Sequence, residues 1–230
     1  MNKHIGEYYD KGLCISCGIC AGNCPIGCIE MKPVRHSVRQ TVNEKACLHC
    51  GKCRAVCPNM TLNADDSFAA EIEMNLLGKY KGIYCSKAKN KELLRVCTSG
   101  GIITSCVSKL LHDGEYQSAF LIEGYEYSGI RLKTKRFTKE SSLIETAKSR
   151  YLTVDHSGAV RYLLAHKDER IIFVGSPCAI VGLEQTIKQN KLERGQYFLI
   201  GLFCDKTMSY GVVDYFENYS SKKELNKLFF

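Results

Sequence analysis

Two periodicities divide the last two thirds of the chain. Ile171 to Gly175 and Tyr197 to Phe203 are apolar runs of strand length. Strands are expected at Gly82–Cys85, Ala119–Glu123, Arg170–Val174 and Phe198–Phe203. Between and after them, apolar residues recur at helical spacing, which predicts helices over Gly101–His112, Ser157–His166, Pro177–Gln189 and Tyr210–Tyr219. Such alternation predicts an α/β domain with a mixed sheet and flanking helices. The N-terminal part differs, with short strands expected at Ile29 to Met31 and Val38 to Val42 and cysteines around them. Acidic residues dominate Asn63 to Tyr80, which reads as a linker followed by a short helix. The expected organisation is an N-terminal module over 1–63, a linker over 64–80 and the α/β domain over 81–230.

The N-terminal module repeats itself. Cys14-Ile15-Ser16-Cys17-Gly18-Ile19-Cys20-Ala21-Gly22-Asn23-Cys24-Pro25 matches Cys47-Leu48-His49-Cys50-Gly51-Lys52-Cys53-Arg54-Ala55-Val56-Cys57-Pro58, and Gly and Pro repeat as well as Cys. A [4Fe–4S] cube takes four thiolates, three from a C-x-x-C-x-x-C loop and one from a distant Cys-Pro that serves the other cube. That rule assigns Cys14, Cys17, Cys20 and Cys57 to one cluster, and Cys47, Cys50, Cys53 and Cys24 to the second. The glycines relieve crowding at the loop, and the prolines turn the chain away. Zinc is the competing metal, but zinc ribbons supply two pairs rather than two runs of four ending in Cys-Pro. The module is therefore an α+β, ferredoxin-like, two-cluster fold. Cys28 reads as a small buried hydrophobe, or as an alternative ligand where Cys24 is lost. His49, inside the second loop, is expected at the surface.

Nine of the fourteen cysteines lie between Cys14 and Cys57. The first residues carry no secretory apolar segment, so the thiols read as metal ligands in a reducing, cytoplasmic setting rather than as disulfides. No run approaches the roughly 18 apolar residues of a membrane helix. The formal charge of +8 falls to about +4 once eight thiolates and two cores of about +2 each are included. Scattered basic residues and the absence of tryptophan argue against a nucleic-acid partner.

Three motifs mark the α/β domain. Arg95-Val96-Cys97-Thr98-Ser99-Gly100-Gly101-Ile102-Ile103-Thr104 opens a helix and offers a phosphate cradle or a plain capped turn. Ala147-Lys148-Ser149-Arg150-Tyr151, leading to Asp155-His156-Ser157-Gly158, is either a second anion contact or an exposed basic strand end. Phe173-Val174-Gly175-Ser176-Pro177-Cys178 is a strand, a turn and a helix start, where open α/β sheets bind ligands. The isolated Cys85, Cys97 and Cys106 read as buried thiols. No catalytic residue is assigned, because His112, His156 and His166 form no readable triad.

In that order, with Leu202-Phe203-Cys204 following, these motifs resemble the beta-subunit family of the deazaflavin (factor 420) hydrogenases and dehydrogenases, from about Cys14 to Tyr219. The resemblance implies FAD near Ser99, Gly100, Gly101 and Thr104, with Lys148, Ser149 and Tyr151 as further contacts. It also implies partner oxidoreductase subunits and a deazaflavin coenzyme. Against that family the chain reads as shortened at its C-terminus, and Cys178 and Cys204 resemble cysteines whose downstream companions are missing. The expected function is that of a flavin-linked oxidoreductase subunit. The alternative is a non-catalytic carrier or docking subunit, with a link to polysaccharide synthesis by way of bacterial relatives.

Overall fold

The computed structural model describes residues 4–6, 12–61, 81–122, 132–139 and 141–219. The linker expected over 64–80 lies outside them. In each repeat a glycine in the left-handed region, Gly18 at φ 74° and Gly51 at φ 75°, starts a one-turn helix. These are α1 (Ile19–Gly22) and α2 (Lys52–Ala55), with α3 (Pro58–Thr61) following the second repeat. Between the repeats, β1 (Ile29–Val34) and β2 (Ser37–Val42) pair antiparallel from Ile29 opposite Val42 to Val34 opposite Ser37. Arg35 and His36 alone make the turn, Arg35 at φ 50°. β1 runs on through Pro33 because both strands of a ribbon are edges, where a missing N–H is tolerated.

The second part holds α4 (Lys91–Val96), α5 (Ile102–His112), β3 (Ser118–Ile122), β4 (Leu132–Phe137), β5 (Val154–Asp155), α6 (Ser157–Ala165), β6 (Ile171–Gly175), α7 (Pro177–Gln189), β7 (Tyr197–Gly201) and α8 (Gly211–Tyr219). Its sheet has the order β5-β4-β3-β6-β7. β3 and β4 are antiparallel and the other neighbours are parallel. The expected α/β architecture with a mixed sheet is present.

All five residues of β6 are buried, as a strand covered on both faces requires. Ile171 and Phe173 face a core built with α6 and α7. Ile172 and Val174 face one built with Val107 and Leu111 of α5. The first core takes in the N-terminal module as well, because Ile19 of α1 and Val56 are fully buried in it beside Val160 and Leu183. Close approach requires glycine here. A Cβ on Gly22 would collide with Val160, and one on Gly182 would stand 2.9 Å from Ile19.

One expectation fails, and other elements went unexpected. Residues 82–88 form neither helix nor strand, and Ile83 and Tyr84 are 73% and 84% exposed. That run is apolar locally but has no ladder to join, since the sheet edges are β5 and β7. Conversely, β4 went unexpected because Leu132-Lys133-Thr134-Lys135-Arg136-Phe137 is mostly basic, and only its two apolar ends are buried. α4 also went unexpected. It is capped by the Asn90 side chain, which accepts from the N–H groups of Glu92 and Leu93 at 2.9 and 3.0 Å.

Candidate metal centres and redox site

The two cysteine loops share one geometry. Ser16 and His49, equivalent in the repeat, both take a left-handed backbone, at φ 59° and 49°. Each donates its N–H to the sulfur two residues before it, Ser16 to Cys14 and His49 to Cys47, at 3.4 Å. Further N–H groups reach sulfur from Ile19 to Cys17, from Asn59 and Met60 to Cys57, and from Ile5 and Arg54 to Cys53. Backbone donors aimed at sulfur suit thiolate ligands and set the potential of the cluster they hold.

Cys14, Cys17, Cys20 and Cys57 come together. Burial pushes the Cys17 and Cys20 thiols well up, and neighbouring sulfurs add to it: Cys178, Cys57 and Cys14 at Cys17, and Cys17, Cys14, Cys57 and Cys53 at Cys20. Burial also raises Cys57. Burial and neighbouring sulfurs together oppose the ionisation of Cys17 and Cys20, which a positive core among them, such as iron supplies, would offset. The donor set fits a cube.

The other group surrounds an open recess of about 330 Å³ whose walls include Cys24, Cys28, Cys47, Cys50 and Cys53. Cys53 is buried, and burial raises it, whereas Cys50 is exposed. Burial pushes the Cys24 thiol up, yet the Cys28 thiol and the N–H groups of Cys28, Ile26 and Ile29 bring it below its ordinary value. Among the described residues, no three His, Cys, Asp or Glu side chains are gathered to hold a single metal ion. Two runs of four cysteines, each ending in Cys-Pro, suit cubes rather than the paired ligands of a zinc ribbon. His49 is exposed, as expected.

The first group is bolted to the α/β part. The His156 N–H donates to the Cys17 carbonyl at 2.9 Å. Asn23 donates to Thr186 Oγ1 at 2.9 Å and accepts from Asn190 Nδ2 at 3.1 Å. His156 is buried against Phe173, ring centroids 5.3 Å apart, and burial pushes it down to about 4 despite Asp155. Cys178 begins α7, 3.2 Å from Ser176 Oγ, and lies near enough to Cys17 to influence it.

Of the remaining residues singled out by sequence, Gly101 stands at φ 65° before α5, whose N-terminus has no side-chain cap. The cap residue, a glycine, offers no side-chain acceptor to the N–H groups of the helix's first turn. A Cβ on Gly100 would lie 2.7 Å from the Ser86 carbonyl. Ser99 is exposed and Thr104 buried, while Lys148, Ser149 and Tyr151 are half-buried. The two segments meet through Ala147, which packs with Leu93 and Cys97. A phosphate-bearing cofactor fits this arrangement at the helix N-terminus. Arg150 is occupied otherwise. Its Nη1 donates to the carbonyls of Thr146, Ala147 and Lys148 at 2.7, 2.6 and 2.6 Å. Asp155 Oδ1 accepts from the Ser157 N–H at 2.8 Å, so that segment caps α6 rather than offering an anion site. The expectation of buried Cys85 and Cys106 is wrong: both are exposed, Cys85 on the unpaired 82–88 segment and Cys106 on the outer face of α5, and Cys97 is half-buried. Cys204 is exposed too. His156 and Asn23 are the contacts that sequence reading missed, because nothing local marks a residue that docks one module on another.

Two cysteine loops of ferredoxin type, fixed to an α/β domain with a mixed sheet, define an iron–sulfur protein of redox class. Family comparison agrees: residues 13–60 match a 4Fe–4S dicluster domain. Residues 83–161 and 168–228 match the N-terminal and C-terminal parts of the coenzyme F420 hydrogenase/dehydrogenase beta subunit. The chain belongs to that beta-subunit family.

Similar curated proteins include the coenzyme F420-dependent sulfite reductase of Methanocaldococcus jannaschii, 24% identical over 222 residues, which cover 90% of this chain and 33% of that one. Another is a component of the F(420)H(2) dehydrogenase of Methanosarcina mazei, 26% identical over 224 residues, covering 93% of this chain and 59% of that one. The chain thus spans between a third and three fifths of these relatives. Among solved structures, one from the F420-reducing [NiFe] hydrogenase complex of Methanosarcina barkeri aligns with a TM-score of 0.49 and 18% identity, over 60% of this chain and 50% of that one. Among the described residues, no helix is long and apolar enough to cross a membrane.

Proposed function

We propose that this chain is an electron-relay subunit of a flavin-linked oxidoreductase, its 1–63 module joined through 64–80 to the cofactor-bearing domain 81–230. Cys14, Cys17, Cys20 and Cys57 hold one [4Fe–4S] cube, and Cys47, Cys50, Cys53 and Cys24 hold the other. Ser99, Gly100, Gly101, Thr104, Lys148, Ser149 and Tyr151 receive the flavin-type carrier. That carrier is FAD by family resemblance, while the relatives' names point to the deazaflavin coenzyme F420. When bound, FAD would accept electrons singly from a cluster and give them up as a pair, joining one-electron cluster traffic to two-electron chemistry, whereas a deazaflavin would exchange them as hydride. The protein's own part is positional. The N-terminus of α5 would hold the phosphates, Gly100 lets the Ser86 backbone pack close behind it, and Arg150 holds the 145–148 loop in shape.

The observation that carries the reading is the joint between the modules. Ile19 of the first cysteine loop lies in the core of the α/β domain, and the Cys17 carbonyl of the same loop is bonded to His156. A cluster in that loop is held in fixed register with the redox domain. The relative from Methanosarcina mazei is by name a dehydrogenase subunit, which supports partner subunits for this chain, and fourteen free thiols suit a reducing, cytoplasmic setting.

Anaerobic purification with iron, sulfide and flavin quantification tests the proposal. About eight irons with one FAD or deazaflavin bound per chain is the expected result. About eight irons with neither carrier retained after reconstitution would reduce the protein to a two-cluster carrier or docking subunit.

A further inference from the structure

The recess of the second centre has one thiol too many. A cube has four corners for protein ligands, yet five cysteine side chains line this space. The fifth is Cys28, which the Cys-Pro rule leaves unassigned. Local backbone explains how it comes to be there. After Cys24 and Pro25 the chain reverses at Gly27, φ 65°, whose N–H donates to the Cys24 carbonyl at 3.2 Å. The reversal returns Cys28 to the side of Cys24, with the two sulfurs 3.4 Å apart. Cys28 also touches Cys47, the first thiol of the second loop. It is 8% exposed, so it competes with no solvent partner.

We propose that Cys28 is a reserve ligand of the second centre, taking the fourth corner of the cube whenever Cys24 is absent. The inference rests on the reading of Cys24 as the resident fourth ligand. A change of χ1 from one staggered well to another carries a cysteine sulfur by about 3 Å, close to the separation observed. No shift of the backbone is needed. On ligation the Cys28 thiol gives its proton to solvent and its sulfur bonds the iron that Cys24 would have held; no electron is gained or lost. Cys28 also belongs to the buried cluster of Ile5 and Ile29, and its sulfur's place beside Cys24 and Cys47 is what sets it apart from a thiol present only for packing.

The test compares the wild type with Cys24→Ala, Cys28→Ala and the double variant, each purified anaerobically, by iron and sulfide content and by EPR of the oxidised and reduced protein. Both single variants are expected to keep about eight irons, and the double variant to fall to about seven or to about four. The inference is overturned if Cys24→Ala loses iron as the double variant does. It is equally overturned if Cys28→Ala alone loses the centre, which would make Cys28 the resident ligand. A wild type with fewer than about eight irons removes the two-cube reading itself, and the inference with it, and is told apart because no variant is involved. The EPR signal of the first centre monitors folding. Should Cys24→Ala lose that signal, Cys24→Val, which fills the space without offering a ligand, decides the matter in its place.

Discussion

Asn23 and Thr186, 163 residues apart in sequence, are joined by a buried hydrogen bond of 2.9 Å from Asn23 Nδ2 to Thr186 Oγ1. Asn23 also donates to the Ile19 carbonyl at 3.0 Å and accepts from Asn190 at 3.1 Å. Its side chain therefore stitches α1 to α7 at the point where the first cysteine loop enters the core. Replacing it takes one of two acceptors from the Asn190 amide, which keeps the Thr186 carbonyl at 2.9 Å, and removes the donor to the Ile19 carbonyl and Thr186 Oγ1. Asn23→Ala is expected to lower stability by about 2 kcal/mol, measured by urea unfolding. Thr186→Val, which removes one partner of a side chain that has two others, should cost less. Equal losses would show that the network does not hold the joint.

Gly18 and Gly51 occupy matching places in the repeat, and both have a left-handed backbone. Their surroundings differ. A Cβ on Gly18 would run into the Asp155 carboxylate, whereas nothing lies within 4 Å of one on Gly51. Gly51→Ala should cost only the left-handed penalty of about 1–2 kcal/mol. Gly18→Ala should cost more and release iron from the first centre, because Asp155 is itself tied to the Ser157 N–H and cannot yield freely. Thermal unfolding with iron counting separates the two, and an equal effect would contradict the asymmetry.

That asymmetry marks the limit of what sequence reading reaches. The spacing of Cys14, Cys17 and Cys20 and of Cys47, Cys50 and Cys53 makes the loops legible, because cluster chemistry dictates local spacing. β6 and α7 are legible because burial on both faces and helical spacing write themselves into composition. The clash behind Gly18 is not, since it comes from a strand more than a hundred residues away. β4 was hidden for the opposite reason. Its lysines and arginine reach solvent, so an interior strand carries almost no apolar signal.

His156 gives the protein an acid limit. Burial pushes it down to about 4, against an ordinary value of 6.5, so the folded state holds the ring neutral. The unfolded chain takes up a proton that the folded chain excludes once pH drops below 6.5. Stability is therefore unaffected above that value and is lost as pH falls from about 6.5 towards about 4. At pH 5.5, one unit below, the loss is about 1.4 kcal/mol. Urea unfolding at pH 7.5 and 5.5 should show it in the wild type, and His156→Gln should remove that part of the slope. An unchanged slope would mean that the ring is not held neutral.

Arg150 spans four carbonyls at once, with Nη2 adding Glu145 at 2.8 Å to the three held by Nη1. One ammonium cannot reproduce that planar fork. Arg150→Lys is expected to cost about 1.5–3 kcal/mol and to weaken flavin or deazaflavin retention through the 147–151 segment, without touching the iron content. Fluorescence titration of the carrier alongside iron assay checks both halves. Loss of iron would instead place Arg150 in support of the clusters.

The two centres should also differ in chemical vulnerability. Ile19, wholly buried, and Cys20, 9% exposed, set the first centre against α6 and α7, and the Cys17 carbonyl is closed off by His156. The second centre opens on a recess with Cys50 exposed and Leu48 65% exposed at its mouth. An oxidant or chelator reaches iron through solvent, so the second centre should yield first. Treatment of the anaerobic protein with ferricyanide and a chelator is expected to release about four of about eight irons in a fast phase. The reduced protein's EPR spectrum should pass meanwhile from that of two interacting centres to that of one. Blocking the mouth with a bulky maleimide has no anchor there but cysteine itself, so the control is Leu48→Trp, which narrows the opening and should slow the fast phase alone. A single phase for all the iron, or a fast phase insensitive to Leu48, would show that exposure at Cys50 does not govern access.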